Sequence, residues 1–290
     1  MPPMNWDFEP GDTIVPGRLA AARLGGGRRY EAWATWNERM LWPTVVKVLR
    51  PDFVDDHAAR AMIAAEATAL RRCEHPSFSR LFDADVDGDR PFLELEFLDG
   101  PRLSTLIHRS GALAPEQLFP LARQLAAALH YLHTTCTVHL DVKPANVIMG
   151  PIPRLIDLSI ARSFEKIPSI DEEIGTDAYM APEQCDRALF DRIGPPSDVW
   201  GLGVTLYEAA TRQRPFTRGD RAAPGAHRWP QLALDALPPP KNRVPPPVAD
   251  LIMSCLQRDP GHRPTALQLF DEFDGLATRF GVPPIRVKLR

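Results

Sequence analysis

Residues 139–146 read His139-Leu140-Asp141-Val142-Lys143-Pro144-Ala145-Asn146. Eleven residues after the last of them comes a second short motif, Asp157-Leu158-Ser159, which follows the apolar pair Leu155-Ile156. Taken singly, two aspartates and an asparagine are ordinary turn residues. Their interpretation therefore depends on whether further motifs stand at matching distances along the chain.

Two further runs follow at such distances. They read Gly175-Thr176-Asp177-Ala178-Tyr179-Met180-Ala181-Pro182-Glu183 and Ser197-Asp198-Val199-Trp200-Gly201-Leu202-Gly203. With these motifs in order, the chain resembles the protein kinase family, and the resemblance covers residues 11–274. Several motifs in the family's order and spacing exclude a chance match, whereas any one of them alone would not.

The pattern of hydrophobic residues predicts that the chain has two structurally different parts. Residues 44–49 are rich in β-branched side chains, which predicts a strand, and residues 55–72 are Ala-rich without Gly or Pro, which predicts a helix. Further on, residues 115–133 carry leucines at helical spacing: Leu118, Leu121, Leu125, Leu129 and Leu132. A small β-rich part followed by a larger helical part predicts an α+β fold.

The resemblance implies the two-lobed protein kinase fold. We expect a β-rich N-lobe over residues 11–98 that holds the nucleotide, and a helical C-lobe over residues 99–274 for catalysis and substrate docking. A short basic tail would follow at residues 275–290. The length of 290 residues is sufficient for two lobes with a cleft between them.

The composition of the chain indicates its partners, its compartment and its source. The net charge of −3 gives no reason to expect nucleic acid or an anionic membrane as a partner. We expect a soluble, cytoplasmic protein because no signal peptide or membrane-spanning segment stands out. The four cysteines lack the spacing of metal ligands, so we predict that they are reduced thiols in the core. The Ala-, Arg- and Pro-rich composition favours a bacterial kinase.

The resemblance implies ATP as the phosphoryl donor and a protein hydroxyl as the acceptor. Asp141 matches the catalytic aspartate that orients the acceptor hydroxyl, and Lys143 matches the lysine that contacts the γ-phosphate. Asn146 and Asp157 match the oxygen ligands of magnesium, with manganese as the alternative ion. A lysine two residues after the aspartate is the serine/threonine form of the motif.

The first hundred residues would supply the nucleotide clamp. Lys47 resembles the strand lysine that contacts the α- and β-phosphates, and Glu66 resembles the helix glutamate that pairs with it. The triplet Gly25, Gly26 and Gly27 occupies the position of the glycine loop. The alternative for Lys47 is a surface lysine on an edge strand. The alternative for the glycine triplet is a plain hairpin turn. The remaining residues expected around the adenine are Ala32, Val45, Leu95, Glu96, Leu98 and Ile148.

Other matches imply structural roles. Asp198 would accept hydrogen bonds from the backbone of the catalytic loop, and Glu183 would form a buried ion pair with Arg263. We interpret His139 as a packed scaffold residue. The family has valine after the glycine loop and alanine two residues before the lysine. These two positions hold Ala32 and Val45, so the small and the larger side chain are exchanged, and we expect the two residues to face each other over the adenine.

Four positions depart from the family pattern. Tyr30 replaces the third loop glycine, Leu140 an arginine, Ser159 a glycine and Asp177 a proline. None of these changes removes a charged group that contacts ATP or metal. We therefore predict an active kinase, with a pseudokinase that signals as a nucleotide-binding scaffold as the alternative.

Two expectations concern substrates and control. Ala145 stands where kinases that prefer arginine near the target often carry a glutamate, so we predict no strong arginine preference. Without an arginine at position 140, we predict activity that does not depend on phosphorylation of the activation segment. A small-molecule kinase of related fold is the third alternative. It is weakened by residues 175–183, which resemble a peptide-docking segment.

Overall fold

The computed structural model of the chain describes residues 4–163, 175–186, 193–240 and 243–282. The chain divides into two compact units, Met1–Asp99 and Gly100–Arg290. The first is built mainly from strands and the second mainly from helices, and each is described below by itself.

The first unit contains a six-stranded antiparallel sheet in the order β1-β2-β3-β4-β6-β5. Helix α1 (His57–Arg72) connects β4 to β5. The strands are β1 (Thr13–Val15), β2 (Arg18–Gly26), β3 (Tyr30–Asn37), β4 (Trp42–Leu49), β5 (Leu81–Asp85) and β6 (Phe92–Glu96).

The two faces of this sheet differ because side chains alternate along each strand. One face carries a core that includes Ile14, Trp33, Val46 and Val48. Lys47 lies between two members of that core in sequence, so it points to the opposite face. The predicted strand at residues 44–49 is confirmed, and it extends two residues further towards the N-terminus.

Helix α1 begins with a side-chain cap, since the Asp56 carboxylate accepts a hydrogen bond from the backbone N–H of Ala59 at 2.7 Å. Its buried residues recur at helical spacing: Ala59, Ile63, Glu66, Ala67 and Leu70. Glu66 is thus the one acidic residue on the buried stripe. This placement requires a cationic partner, because an unpaired buried carboxylate is costly.

The second unit packs its helices around α3, whose buried residues include the predicted leucine stripe. The helices are α2 (Leu103–Ser110), α3 (Pro115–Thr134), α4 (Pro182–Cys185), α5 (Pro195–Thr211), α6 (Pro246–Cys255) and α7 (Ala266–Arg279). Two short antiparallel pairs join β7 (Thr137–Val138) to β10 (Arg162–Ser163), and β8 (Val147–Ile148) to β9 (Arg154–Leu155). The α+β class is confirmed. Helix α7 continues five residues past position 274, and its residues Leu276 and Ala277 are buried.

The prediction of core thiols is only partly correct. Cys185 and Cys255 are buried, but Cys136 is exposed and Cys73 is half-buried. Cys136 follows the end of α3, where the backbone turns with a φ of 55° and the chain lies at the surface. Across the described residues, every helix is too short or too polar to cross a membrane.

Candidate active site

A compact set of hydrogen bonds surrounds Asp141 in the second unit. Lys143 Nζ donates to Asp141 Oδ2 at 2.5 Å and to Thr176 Oγ1 at 2.7 Å. Thr176 Oγ1 in turn donates to Asp141 Oδ1 at 2.8 Å, and Asn146 Nδ2 donates to Asp141 Oδ2 at 3.0 Å. Both carboxylate oxygens therefore have fixed partners. The contacts bring three predicted site residues together with Thr176, thirty-five positions downstream of Asp141.

Asp198 of α5 holds the backbone that precedes Asp141. Its carboxylate accepts hydrogen bonds from the N–H of His139 at 2.9 Å and from that of Leu140 at 2.7 Å. His133 Nε2 lies 3.0 Å from the same carboxylate. Leu140 has a φ of 66°, a conformation that non-glycine residues rarely adopt. The predicted role of Asp198 is confirmed.

His139 is fully buried beside Asp141. Its Nδ1 accepts a hydrogen bond from the backbone N–H of Asp141 at 3.2 Å. A neutral imidazole with this contact carries its proton on Nε2. This packed position agrees with the interpretation of His139 as a scaffold residue.

The β8–β9 hairpin brings Asn146 and Asp157 to the same end of a short ladder. Val147 pairs with Leu155, and the backbone N–H of Ile156 donates to the carbonyl of Asn146 at 2.8 Å. Asn146 directly precedes the hairpin and Asp157 follows it by two residues. Asp157 is held at a φ of 72°.

The side-chain oxygens of Asn146 and Asp157 are of the chemical kind that magnesium binds. Magnesium binds few protein oxygens and fills its other positions with water and phosphate oxygens. One carboxylate and one amide oxygen supply such a partial set. No cluster of three or more His, Cys, Asp or Glu residues suited to a metal occurs in the described part of the chain.

Lys47 and Glu66 form a buried ion pair in the first unit. Lys47 Nζ lies 2.7 Å from Glu66 Oε2 and 2.9 Å from Oε1. The side chains are only 7% and 2% exposed. Lys47 is thus the cationic partner that the buried carboxylate of Glu66 requires. The ring of Tyr30 also covers this lysine, with its centroid 3.8 Å from Nζ.

The glycine triplet lies at the turn between β2 and β3. Gly25 and Gly26 have φ values of 128° and 155°, which side chains rarely tolerate. A Cβ atom at Gly26 would stand 2.4 Å from the carbonyl oxygen of Tyr30, and one at Gly27 would stand 3.0 Å from its ring. Gly26 and Gly27 therefore leave the space that Tyr30 occupies.

The residues predicted around the adenine fall into two sets. In the first unit, Val45 pairs with Ala34 on one side and with Leu95 on the other, while Ala32 pairs with Lys47. Ala32 and Val45 are therefore diagonal neighbours on one face of the sheet and do not pair directly. That they face each other over the adenine stays a prediction.

The other predicted adenine contacts lie further along the chain. The backbone N–H of Glu96 donates to the carbonyl of Arg80 at 2.9 Å, and Leu98 follows two residues later, half-buried. In the second unit, Ile148 pairs with Arg154 within the β8–β9 hairpin. The assignment of these residues to adenine stays a prediction.

Glu183 and Arg263 form the predicted ion pair in the second unit. Arg263 donates to Glu183 Oε1 at 2.6 Å and to Oε2 at 2.9 Å, and both side chains are fully buried. The bidentate geometry is the strong form of this interaction. The prediction is confirmed, and the pair ties α4 to the segment before α7.

Sequence reasoning did not identify two buried glutamines that fix the surroundings of Thr176. Gln184 Nε2 donates to the carbonyl of Leu140 at 3.1 Å. Gln231 Nε2 donates to the carbonyls of Asp177 at 2.8 Å and of Met180 at 3.0 Å. Gln184 follows a recognised motif directly, which was an available signal. Gln231 has no such neighbour in the sequence.

Known proteins confirm the family that the motifs predict. The sequence profile of the protein kinase domain matches residues 22–273. The chain therefore belongs to the protein kinase domain family. Its α+β architecture agrees with this membership.

Similar proteins come from several bacteria. The probable serine/threonine-protein kinase PkwA of Thermomonospora curvata is 32% identical over 282 residues, which are 96% of this chain and 36% of PkwA. Serine/threonine-protein kinase PkaA of Streptomyces coelicolor is 33% identical over 248 residues, 82% of this chain and 44% of PkaA. Serine/threonine-protein kinase PknA of Mycobacterium tuberculosis is 31% identical over 261 residues, 87% of this chain and 59% of PknA. The chain thus spans 36% to 59% of the length of these three relatives.

Proposed function

We propose that this chain is a serine/threonine protein kinase that transfers the γ-phosphoryl group of ATP to a protein hydroxyl. The observation that carries the proposal is the hydrogen-bonded set of Asp141, Lys143, Asn146 and Thr176. The names of the bacterial relatives and the lysine two residues after Asp141 favour serine and threonine as acceptors.

Asp141 would orient the acceptor hydroxyl and receive its proton. The hydroxyl oxygen forms a new bond to the γ-phosphorus, the bond to the β-phosphate oxygen breaks, and ADP leaves. Phosphoryl transfer requires mainly positioning and charge neutralisation. The hydrogen bonds from Thr176 and Asn146 hold the Asp141 carboxylate in place for this step.

Two lysines would contact the triphosphate. Lys143 donates to Asp141 in this structure and would contact the γ-phosphate when nucleotide binds. Lys47, held by Glu66, would contact the α- and β-phosphates. Asn146 and Asp157 would hold magnesium, which when bound neutralises phosphate charge. The glycine triplet would cover the phosphates.

The second candidate is a pseudokinase. Its motive is the set of departures at Tyr30, Leu140 and Ser159, of which the Tyr30 ring directly covers Lys47. Retention of every charged group assigned to ATP or metal favours the enzyme. The two candidates differ in one measurable respect, because only the enzyme transfers phosphate.

Transfer from labelled ATP to the chain itself and to a general protein substrate tests the proposal. Asp141→Asn, Lys47→Met and Asp157→Asn should each reduce the rate by about 10²–10³ or more. Asp250→Asn is the matched control, because Asp250 is an exposed residue of α6 outside the site. Nucleotide binding without any transfer would establish the pseudokinase instead. Wild-type rates in the three site variants would contradict the residue assignments.

A further inference from the structure

A pocket rich in arginine opens next to Thr176 in the second unit. Its volume is about 550 Å³, within the range of pockets that bind small ligands. Four arginines line it together with a single acidic residue, Asp177. The arginines are Arg214, Arg218, Arg221 and Arg228. The function proposed above assigns no role to this pocket.

Buried contacts hold the two sides of the pocket together. Gln231 lies on one side and donates to the backbone of Asp177 and Met180 on the other. Trp229 is buried against Met180 and Cys185. Gly219 lies so close to Arg228 that a Cβ atom there would stand 1.9 Å from the Arg228 carbonyl oxygen. The pocket is therefore formed before any ligand arrives.

The negative charge of the acidic residue in the lining is paired with the positive charges of neighbouring arginines. Asp177 lies 3.2 Å from Arg228 and 3.4 Å from Arg221. Burial acts to raise the pKa of the Asp177 carboxyl, but hydrogen bonds from Arg228 and Trp229 and the nearby arginine charges lower this pKa below its usual value. The carboxyl is thus ionised at neutral pH, and it balances only part of the positive charge.

The other arginines differ in how much of their charge is balanced. Arg214 lies 3.4 Å from Glu208, which also accepts a hydrogen bond from Tyr179. Arg218 is exposed and forms no ion pair with any residue that the structure describes. Asp220, the nearby acid of the loop, accepts a hydrogen bond from the backbone of Ala222. The lining therefore keeps an excess of positive charge.

Thr176 connects this pocket to Asp141. It belongs to the pocket lining, and its hydroxyl donates to Asp141 Oδ1 at 2.8 Å. An extended peptide advances about 3.3 Å per residue. A peptide with its hydroxyl at Asp141 would thus present a side chain within a few residues of that hydroxyl to the arginines.

We propose that this pocket selects an acidic side chain of the protein substrate, Asp or Glu, within three residues of the phosphorylated serine or threonine. The inference rests on the kinase function proposed above. Guanidinium groups pair with carboxylates through two parallel hydrogen bonds, which single out an acidic residue from neutral and basic ones. The alternative is that these arginines are solvated surface residues without a ligand.

Phosphorylation of a positional peptide library provides the first test. At one position within three residues of the acceptor, Asp and Glu should be preferred over Gln by about fivefold or more, and Lys should be disfavoured. The double variant Arg218→Glu/Arg221→Glu should lose this preference, so that its rates with the acidic peptide and with the Gln peptide differ by less than about twofold. Arg109→Glu, an exposed residue of α2 outside the pocket, is the matched charge control and should retain the preference.

Binding of labelled peptides without ATP, measured by fluorescence anisotropy, provides a second test that does not require catalysis. An acidic peptide should bind more tightly than its Gln counterpart in the wild type, and the difference should shrink with salt and vanish in the double variant. Selective binding without phosphorylation would reject the kinase function and keep the pocket. Phosphorylation without any acidic preference would reject the pocket and keep the kinase function.

Discussion

The aromatic ring of Tyr30 lies over the ammonium group of Lys47, with 3.8 Å between the ring centroid and Nζ. Glu66 contacts the same ammonium group, and the lysine side chain is only 7% exposed. Tyr30 stands where the family has a small glycine. The lysine assigned to phosphate binding is therefore covered, and phosphate oxygens can reach it only after the ring moves.

We expect Tyr30→Gly to bind ATP more tightly than the wild type, because the ring no longer has to be displaced. A cation–π contact shielded from water contributes about 2 kcal/mol, which corresponds to about a thirtyfold decrease in the Kd for ATP. Nucleotide titration by calorimetry measures the change. Tyr30→Phe keeps the ring and should retain the wild-type Kd. Weaker binding by Tyr30→Gly would show that the ring supports the nucleotide instead.

We expect the rate of phosphoryl transfer to be independent of activation-segment phosphorylation. Leu140 is buried among Val138, Ile160 and Ile193, so an apolar cluster occupies the site of the usual arginine. Nothing in this cluster binds a phosphate group. Phosphatase treatment and Ser163→Ala should each leave the rate within about threefold of the untreated protein. Ser169, the other candidate acceptor, lies outside the described residues, and Ser169→Ala should behave alike.

The same cluster predicts the effect of restoring the arginine. Leu140→Arg would bury a charge among apolar side chains and should lower the free energy of unfolding by about 3 kcal/mol or more. Leu140→Met keeps the volume and should cost less than about 1.5 kcal/mol. Chemical denaturation measures both. For the preceding prediction on phosphorylation, the contradicting outcome is a loss of activity on dephosphorylation with recovery on rephosphorylation. That outcome would show that another basic residue binds the phosphate.

The exchange of sizes at Ala32 and Val45 predicts coupled effects on ATP binding. Ala32→Val adds bulk directly opposite Lys47 and should weaken ATP binding by about tenfold. Adding Val45→Ala should restore part of that affinity, because diagonal neighbours on one sheet face remain within reach of each other. Titration of ATP against the two single variants and the double variant measures the coupling. Strict additivity would contradict it.

Removal of one partner of the Glu183–Arg263 pair should be strongly destabilising. Arg263→Ala leaves a fully buried carboxylate without its partner and should lower the free energy of unfolding by about 3–5 kcal/mol. The double variant Glu183→Ala/Arg263→Ala should lose less than the sum of the two single losses. Arg258→Ala, at a side chain 45% exposed, is the control. Urea denaturation provides the measurements.

Alkylation with iodoacetamide at about pH 8 should modify Cys136 first. Burial raises the pKa of Cys73 to about 11 and that of Cys255 to about 12, and it also raises the pKa of Cys185. A raised pKa means less reactive thiolate at a given pH below it. Mass spectrometry should find Cys136 modified at least about tenfold faster than the other three. Cys136→Ser should remove this fast phase, and its persistence would contradict the assignment.

The secondary structure was accessible from sequence because it depends on local patterns. The β-branched run around Lys47 and the Ala-rich stretch with Glu66 became β4 and α1. The leucine stripe identified α3 in the same way. The residues assigned to ATP and magnesium were found from motif spacing and not from local pattern. Their roles remain predictions, although the observed contacts at Lys47 and Asp141 are compatible with them.

Some features followed from the sequence, whereas others depended on residues that meet only in the folded chain. The sequence alone determined the family and the fold class, because each follows from periodic patterns or motifs that the chain carries locally. The pairing of Glu183 with Arg263 was implied by the resemblance to the family. Only the tertiary structure showed that Tyr30 covers Lys47, that Ala32 stands diagonal to Val45, and that four arginines line one pocket with Asp177. Side-chain direction, strand register and the closure of distant loops decide these contacts, and they are set by packing across the whole chain rather than by neighbouring residues.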